Sequence, residues 1–126
     1  MKQVVIDTNV LVHWYKTGFI TSDMDLATIV PVYSIITKIE ALGFRYITNS
    51  EVKAINAMLS SGELVSISDN IADQTITLRQ NYKIKTPDAI IAATALVNNA
   101  ELWTANTADF SNIKGLELFN PLVAGN

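Results

Sequence analysis

The sequence predicts an α/β fold, a three-layer α/β/α sandwich built on a mostly parallel five-stranded sheet. Short runs rich in β-branched residues alternate along the chain with stretches in which apolar residues recur at helical spacing. Strands and helices that alternate in this way form parallel sheets with helices on both faces. Residues 89–97 are apolar nearly all round, which indicates a helix that is buried on most sides.

The N-terminal segment supplies the first strand of the predicted sheet. Val4, Val5 and Ile6 form an apolar β-branched run that suits a strand covered on both faces. Asp7 follows at once, and a helix is expected to start beside it and to end near Gly18. The predicted bounds in this part of the chain are strands at 2–6 and 31–35, helices at 9–16 and 25–30, and a loop at 19–24.

Two helices are expected after the second strand. The spacing of Thr37 and Glu40 matches a capping box, in which Thr37 would open the helix. Residues 50–59 repeat the helical pattern, and Gly62 ends it.

The second half of the chain continues the alternation. Asp69 is the predicted cap of a helix whose inner residues would include Ile71, Ile76, Leu78 and Tyr82. Thr86, Pro87 and Asp88 then give a strong signal for a helix start: a cap, a proline in the first turn and an acid near the positive end of the dipole. The predicted bounds are strands at 64–67, 101–104 and 116–119, helices at 69–82 and 86–97, and a polar turn at 106–110.

The composition excludes several classes of chemistry. Among 126 residues there is no cysteine, which excludes disulfides, thiolate zinc sites and a cysteine nucleophile. His13 is the only histidine, so histidine-rich metal sites and most Ser-His-Asp arrangements are excluded as well. No signal peptide or membrane span is recognisable, and we therefore expect a cytoplasmic protein. With a net charge of −3, a protein that handles phosphodiesters needs metal ions or a local basic patch to offset its acidity.

Four acidic residues recur in one context, just after a strand or near a helix start: Asp7, Glu40, Asp88 and Asp109. Each of them alone is explained by a helix cap, a helix dipole or simple exposure to water. Together they indicate a shared ligand site. The carboxyl ends of parallel strands lie on one edge of the sheet, and open α/β sheets bind their ligands there. Carboxylates about 4 Å apart repel one another by several kcal/mol, so a cluster there requires a cation. Oxygen ligands without Cys or His favour Mg²⁺ or Mn²⁺ over zinc.

Four segments of the chain contain the four acidic residues. They are Val5-Ile6-Asp7-Thr8-Asn9-Val10-Leu11, Ser34-Ile35-Ile36-Thr37-Lys38-Ile39-Glu40-Ala41-Leu42, Pro87-Asp88-Ala89-Ile90-Ile91-Ala92-Ala93-Thr94-Ala95 and Thr104-Ala105-Asn106-Thr107-Ala108-Asp109-Phe110. In order and spacing these segments resemble the signature blocks of PIN domains, and especially those of small VapC-type ribonuclease toxins from toxin–antitoxin pairs. The resemblance spans nearly the whole chain and implies a single PIN domain over residues 1–126.

The resemblance assigns metal-binding roles to the four acids. Asp7, Glu40 and Asp88 match the three core metal-binding carboxylates of the family, and Asp109 matches its fourth acidic position. It implies endonucleolytic cleavage of RNA that depends on Mg²⁺ or Mn²⁺. It also implies a homodimer and a cognate antitoxin that inserts a segment into the active-site groove.

Three polar residues complete the matched positions. Thr8 matches the hydroxyl after the first Asp, and Asn9 the polar residue often beside it. Asn106 stands where relatives carry either Asp or Asn, which leaves open how a second metal ion would be held. Thr8 and Asn106 are candidates for orienting the scissile phosphate or a water molecule on the metal.

Two other functions stay open at this level. A phospho-acceptor receiver domain has similar length and binds Mg²⁺, but it needs an acidic pair after the first strand, where this chain has Asp7 alone. A PIN domain without activity would serve as an RNA-binding or scaffold protein. Lys38, Arg45 and Arg79 are candidate phosphate contacts, although single charges of this kind more often face solvent.

Overall fold

Five strands and six helices follow one another along residues 1–18 and 26–122, the part of the chain that the computed structural model describes. The strands are β1 (Lys2–Ile6), β2 (Ile29–Ser34), β3 (Glu63–Val65), β4 (Glu101–Trp103) and β5 (Leu118–Phe119). The helices are α1 (Thr8–Thr17), α2 (Ile35–Leu42), α3 (Asn49–Ser60), α4 (Asp69–Asn81), α5 (Thr86–Val97) and α6 (Thr107–Phe110), and a 3₁₀ turn at Leu26–Thr28 precedes β2.

The strands form one sheet in the order β3-β2-β1-β4-β5, and every neighbouring pair is parallel. β1 is central, with Lys2 paired to Ile29 of β2 and Val4 paired to Glu101 of β4. Because all strands run the same way, their carboxyl ends meet at one edge, where Asp7, Ser34 and Thr104 end or follow the three central strands.

Helices cover both faces of the sheet, which confirms the α/β/α sandwich. Side chains alternate along β1, so Val5 joins one core cluster while Val4 and Ile6 join the other. The first cluster is made with α4 and α5, and the second with α1 and α3. Residues 89–95 of α5 are all buried, as the apolar run predicts.

The start of α2 differs from the prediction. The helix begins at Ile35 rather than at Thr37, and its cap is Ser34, whose Oγ accepts a 3.1 Å hydrogen bond from the Ile36 backbone NH. Thr37 is fully buried as the third helical residue, and its hydroxyl makes no hydrogen bond to the described residues. The capping box forms instead at Thr48 and Glu51, at the start of α3.

Other boundaries shift by one or two residues. The predicted helix at 25–30 is wrong over its described part, which is the 3₁₀ turn followed by the start of β2, while the predicted loop at 19–24 lies outside the described residues. The caps of α4 and α5 are Ser68 and Lys85 rather than Asp69 and Thr86. Ile76 faces solvent instead of the core, with 55% of its surface exposed.

The predicted end of α1 is confirmed, whereas the predicted turn at 106–110 is wrong. Gly18 ends α1 as expected, in the left-handed region at φ 73°, where glycine is favoured. The polar turn at 106–110 is a short helix, because Phe110 is drawn into the core behind it. Within the described ranges, no helix is both long and apolar enough to cross a membrane.

Candidate active site

Asp7 is a buried carboxylate at the carboxyl edge of the sheet. It directly follows β1 and is only 5% exposed, and its backbone NH donates to the carbonyl of Trp103 in β4 at 2.9 Å. Its Oδ1 accepts from the Thr8 backbone NH at 2.8 Å, which makes Asp7 the cap of α1. Its Oδ2 accepts from Thr104 Oγ1 at 2.8 Å and from Asn9 Nδ2 at 3.2 Å. These donors fix the carboxylate in one orientation.

The segments that follow β1 and β4 are tied together around Asp7. Thr104 Oγ1 also accepts from the Asn106 backbone NH at 3.0 Å, and Asn9 Oδ1 accepts from the Ala105 backbone NH at 3.1 Å. Thr104 is fully buried. The sequence gives it no role, because Thr104 is the last residue of the strand predicted at 101–104 and follows β4 only in the structure, where β4 ends at Trp103.

Glu40 reaches the same place from α2. Thr8 Oγ1 donates a 2.7 Å hydrogen bond to Glu40 Oε1, so the hydroxyl at the start of α1 orients the Glu40 side chain. Glu40 stands in the second turn of α2 because the helix begins at Ile35, and it is not part of a cap. Its carboxylate is therefore not occupied in capping α2 and can act as a ligand in the site.

Asp88 lies in the first turn of α5, where it is partly buried. Burial raises its pKa above the usual 3.8, and the negative charges of Asp7, Asp109 and Glu40 raise it further, against the opposing charge of Lys85. Burial likewise raises the pKa of Asp7, although the hydrogen bonds from Thr104 and Thr8 act in the other direction. In the described part of the chain the only salt bridge joins Lys2 to Glu101, so no cation lies within ion-pair distance of these carboxylates.

An open cavity of about 570 Å³ brings together most of the predicted site. Its walls include Asp7, Thr8, Asn9, Glu40, Asp88 and Asn106. Asp109 does not line this cavity; it faces an adjoining one of about 410 Å³ that shares Asp88. Three of the four predicted carboxylates therefore share one space, and the fourth acts on Asp88 from the neighbouring side.

The model of the PIN domain matches residues 4–116 of the chain. The chain belongs to the PIN-domain family. That match covers residues 4–6 of the central strand and all four acidic positions. No curated protein sequence matches the chain at comparable significance.

Several solved structures that contain a chain similar to this PIN domain are toxin–antitoxin complexes. A toxin–antitoxin complex from Klebsiella pneumoniae contains a chain with 32% identity and a TM-score of 0.73, with coverage of 94% of this chain and 97% of that one. VapBC-1 from nontypeable Haemophilus influenzae gives 25% identity and a TM-score of 0.76 over 96% and 99% of the two chains. VapBC2 from Rickettsia felis, bound to a DNA fragment from its promoter, gives 21% identity and a TM-score of 0.78 over 94% and 98%, and at that identity the likeness concerns the fold.

The donor set of the PIN domain fits a hard divalent cation. The cavity offers carboxylate, hydroxyl and amide oxygens, and His13 is the only nitrogen ligand on its wall. Among the described residues no three Asp, Glu, His or Cys side chains stand close enough to enclose an ion by themselves. Mg²⁺ does not require such a cage, because it keeps several water molecules and is usually held by one or two carboxylates together with substrate phosphates.

The basic residues suggested by the sequence lie elsewhere on the PIN domain. Lys38, Arg45 and Arg79 line neither of the two cavities, and the Arg45 guanidinium lies 5.6 Å from the centre of the Tyr46 ring. The second cavity is instead lined by Lys83 and Lys85, which are not among the phosphate contacts expected from the sequence.

Proposed function

We propose that this PIN domain is a Mg²⁺- or Mn²⁺-dependent endoribonuclease that acts as the toxin of a toxin–antitoxin pair. The observation that carries the proposal is the convergence of Asp7, Glu40 and Asp88 on one open cavity in which no cation is paired with them. The raised pKa of Asp88 has the same origin, because burial and neighbouring carboxylates both disfavour an uncompensated charge. A divalent cation that enters such a cavity relieves the repulsion between its carboxylates, so its binding is favourable.

In this proposal Asp7, Glu40 and Asp88 hold the cation, directly or through water. Asp7 is fixed by its hydrogen bonds to Thr8 and Thr104, so it is the rigid ligand of the set. Glu40 has one oxygen bonded to Thr8 and can direct the other toward the cavity. A bound cation would supply Lewis acidity, which lowers the pKa of water and offsets the negative charge that develops on the phosphate during hydrolysis.

The remaining polar residues act on the substrate. The Asn106 side chain lines the cavity and makes no hydrogen bond to the described residues, so its amide is available to donate to a non-bridging phosphate oxygen. Thr8 holds Glu40 in place and presents its hydroxyl oxygen to the same space. Asp109 acts from the adjoining cavity, where it can position water or support a second ion beside Asp88.

The toxin assignment and the partner are supported by the structural relatives. A chain with 32% identity belongs to a toxin–antitoxin complex, and further neighbours come from VapBC assemblies. We therefore propose a cognate antitoxin as the protein partner, RNA as the substrate and a homodimer as the working assembly. Membership of the PIN-domain family sets aside the receiver-domain alternative, whereas an inactive RNA-binding scaffold is excluded only by a measured activity.

The decisive experiment is RNA cleavage with Mg²⁺, with Mn²⁺ and with EDTA by the wild type, Asp7→Asn and Glu40→Gln. Both variants are expected to lose cleavage by a factor of about 100 or more while they keep the wild-type circular dichroism spectrum, because each removes a charged metal ligand. Asp73→Asn is the matched control, since it removes one exposed carboxylate on α4 away from the site. Wild-type activity in Asp7→Asn would refute the catalytic assignment, and a wild type that binds but never cleaves RNA would favour the scaffold.

A further inference from the structure

The second cavity combines positively and negatively charged side chains, unlike the cavity that contains Asp7, Glu40 and Asp88. It is lined by Lys83 and Lys85 together with Asn112, and by the carboxylates of Asp88 and Asp109. Asp88 lines both this cavity and the one that contains Asp7, so the two spaces meet at its side chain. A ligand that contacts Asp88 can therefore extend into either cavity.

The backbone between α4 and α5 determines where the two lysines point. Both Tyr82 and Lys85 have extended backbone conformations, and in extended chain successive side chains alternate between two sides. Tyr82 and Ile84 are partly buried and pack against the core cluster under α4 and α5, whereas Lys83 and Lys85 are exposed. The Tyr82 hydroxyl also accepts a 3.2 Å hydrogen bond from the Lys114 backbone NH. The core thus anchors one side of this segment and directs both lysines to the other.

Lys83 and Lys85 place positive charge next to an acidic site. The chain has a net charge of −3, and the cavity that contains Asp7 is dominated by carboxylates, so a polyanion is repelled unless cations lie nearby. In the described ranges neither Lys83 nor Lys85 forms a salt bridge. Two ammonium groups without an ion-pair partner, one residue apart and beside the site, form the local basic patch that RNA binding requires.

The first cavity has a lysine of its own. Its wall follows one face of α1 through Asn9, Val12, His13 and Lys16, residues that share a face at helical spacing. Lys16 lies about 12 Å along the helix axis from Thr8, at 1.5 Å per residue. Each cavity therefore contains a lysine outside the carboxylate cluster, which suits a backbone that continues in both directions from the scissile bond.

We infer that Lys83 and Lys85 bind a backbone phosphate of single-stranded RNA next to the scissile phosphate, so that the strand passes from the carboxylate cavity into the second one. This inference rests on the proposed function and extends it by assigning a substrate-positioning site to residues that take no part in the chemistry. An extended single strand fits, because a positively charged groove can follow its backbone without reading its sequence. Ala108 also lines the second cavity and offers apolar contact to the neighbouring sugar or base.

Binding of RNA without metal tests this site independently of catalysis. The probe is a labelled single-stranded RNA of mixed sequence and about 12 nucleotides, measured by fluorescence anisotropy in EDTA over a series of salt concentrations. The variant is Lys83→Gln/Lys85→Gln, and the matched control is Lys53→Gln/Arg79→Gln, which removes the same charge from exposed positions of α3 and α4 outside both cavities. We expect affinity to fall about tenfold in the first variant, and the slope of log affinity against log salt to decrease in magnitude by about 0.7, the value for one lost phosphate contact on a single strand.

The outcomes separate this inference from the proposed function. Cleavage by Lys83→Gln/Lys85→Gln at saturating RNA should keep the wild-type kcat with a raised KM. A second outcome is that the wild type binds and cleaves RNA, but Lys83→Gln/Lys85→Gln binds RNA as tightly as the control Lys53→Gln/Arg79→Gln. In that case the lysine site is wrong and the nuclease assignment stands. Loss of affinity for the antitoxin alone, with RNA affinity unchanged, overturns the inference as well. A wild type that neither binds nor cleaves RNA overturns the proposed function and this inference together.

Discussion

The Thr104 hydroxyl donates a 2.8 Å hydrogen bond to Asp7 Oδ2, across 97 positions of sequence. This contact joins the ends of β4 and β1 at the edge where the candidate ligands gather. Thr104 also accepts from the Asn106 backbone NH, so one buried hydroxyl positions both a proposed metal ligand and a proposed substrate contact. The site therefore depends on a residue that has no reactive chemistry of its own.

Thr104→Val is expected to damage both stability and activity. The substitution keeps the shape of the side chain but leaves the Asp7 carboxylate, buried as it is, with one donor fewer, at a cost of about 1–3 kcal/mol in the free energy of unfolding. Urea denaturation and RNA cleavage measure the two effects, and Thr104→Ser should restore most of both because it keeps the hydroxyl. The pKa of Asp7 should rise further in Thr104→Val, since this hydrogen bond lowers it in the wild type.

Thr94→Val is the matched control for that experiment. Thr94 is also a buried threonine, but its hydroxyl donates only to the Ile90 carbonyl one turn earlier in α5. Such bonds add little to a helix, so this variant should keep its stability and activity. Equal losses in Thr104→Val and Thr94→Val would show that the contact with Asp7 has no special importance.

Asp88→Asn should stabilise the protein without metal and remove its response to metal. The variant relieves repulsion from Asp7, Asp109 and Glu40, and because Asp88 is only partly buried, solvent limits the gain to less than about 1 kcal/mol. Mg²⁺ or Mn²⁺ at 100 times its Kd should stabilise the wild type by about 2.7 kcal/mol and the variant far less. Thermal scans of both proteins, with Asp73→Asn as control, measure this, and equal responses to metal would place the ion elsewhere.

The same pair of proteins has an expected dependence on pH in EDTA. Because the pKa values of Asp7 and Asp88 are raised in the folded state, folded protein takes up protons there at a higher pH than the unfolded chain does. The stabilising contribution of protonation is thus complete below the ordinary value of 3.8 and is lost as pH rises through the raised values. The stability advantage of Asp88→Asn over the wild type should therefore shrink as pH falls from 7 toward 4. An advantage that grows on acidification would contradict the charge cluster.

Most of the candidate site could be predicted from the sequence because its position follows from the direction of the strands. A parallel sheet places the residues after its strands on one edge, and this is enough to bring Asp7 close to the starts of α2 and α5. The side on which each carboxylate faces does not follow from strand direction. Asp109 faces the second cavity because Phe110 and Ile113 anchor the chain around it in the core, a contact that depends on tertiary packing.

Helix starts were harder to predict, because two segments carry the same pattern. Thr37 with Glu40 and Thr48 with Glu51 both match the capping box, yet only the second pair forms one. The difference lies in where the preceding strand ends: β2 runs to Ser34, and that residue caps α2 before the chain reaches Thr37. A local pattern cannot report the length of a strand that is set by pairing with its neighbours.

This difference predicts opposite effects for two similar substitutions. Thr48→Ala should cost about 1 kcal/mol in the free energy of unfolding, because it removes the side chain that caps α3. Thr37→Val should be neutral or slightly stabilising, because it replaces a buried hydroxyl that has no hydrogen bond to the described residues by a methyl group of similar size. Urea denaturation of the two variants decides the matter. A larger loss in Thr37→Val would mean that its hydroxyl is satisfied by bound water or that the capping pattern at Thr37 operates after all.

Asn106→Asp tests how the charge of the site is balanced. Asn106 lines the cavity with Asp7, Glu40 and Asp88, so a carboxylate there adds a fourth negative charge to the same space. Without metal this should lower the melting temperature by a few degrees, since like charges in a partly dry site repel. With Mn²⁺ the variant should instead melt at a higher temperature than the wild type, because an added oxygen ligand of negative charge raises the affinity for a hard cation. Asn112→Asp is the matched control, an identical change in the adjoining cavity, where Lys83 and Lys85 partly offset the new charge, so its gain in Mn²⁺ affinity should be smaller than that of Asn106→Asp. Calorimetric titration with Mn²⁺ measures both affinities, and a larger gain in Asn112→Asp than in Asn106→Asp would place the metal next to Asp109 instead.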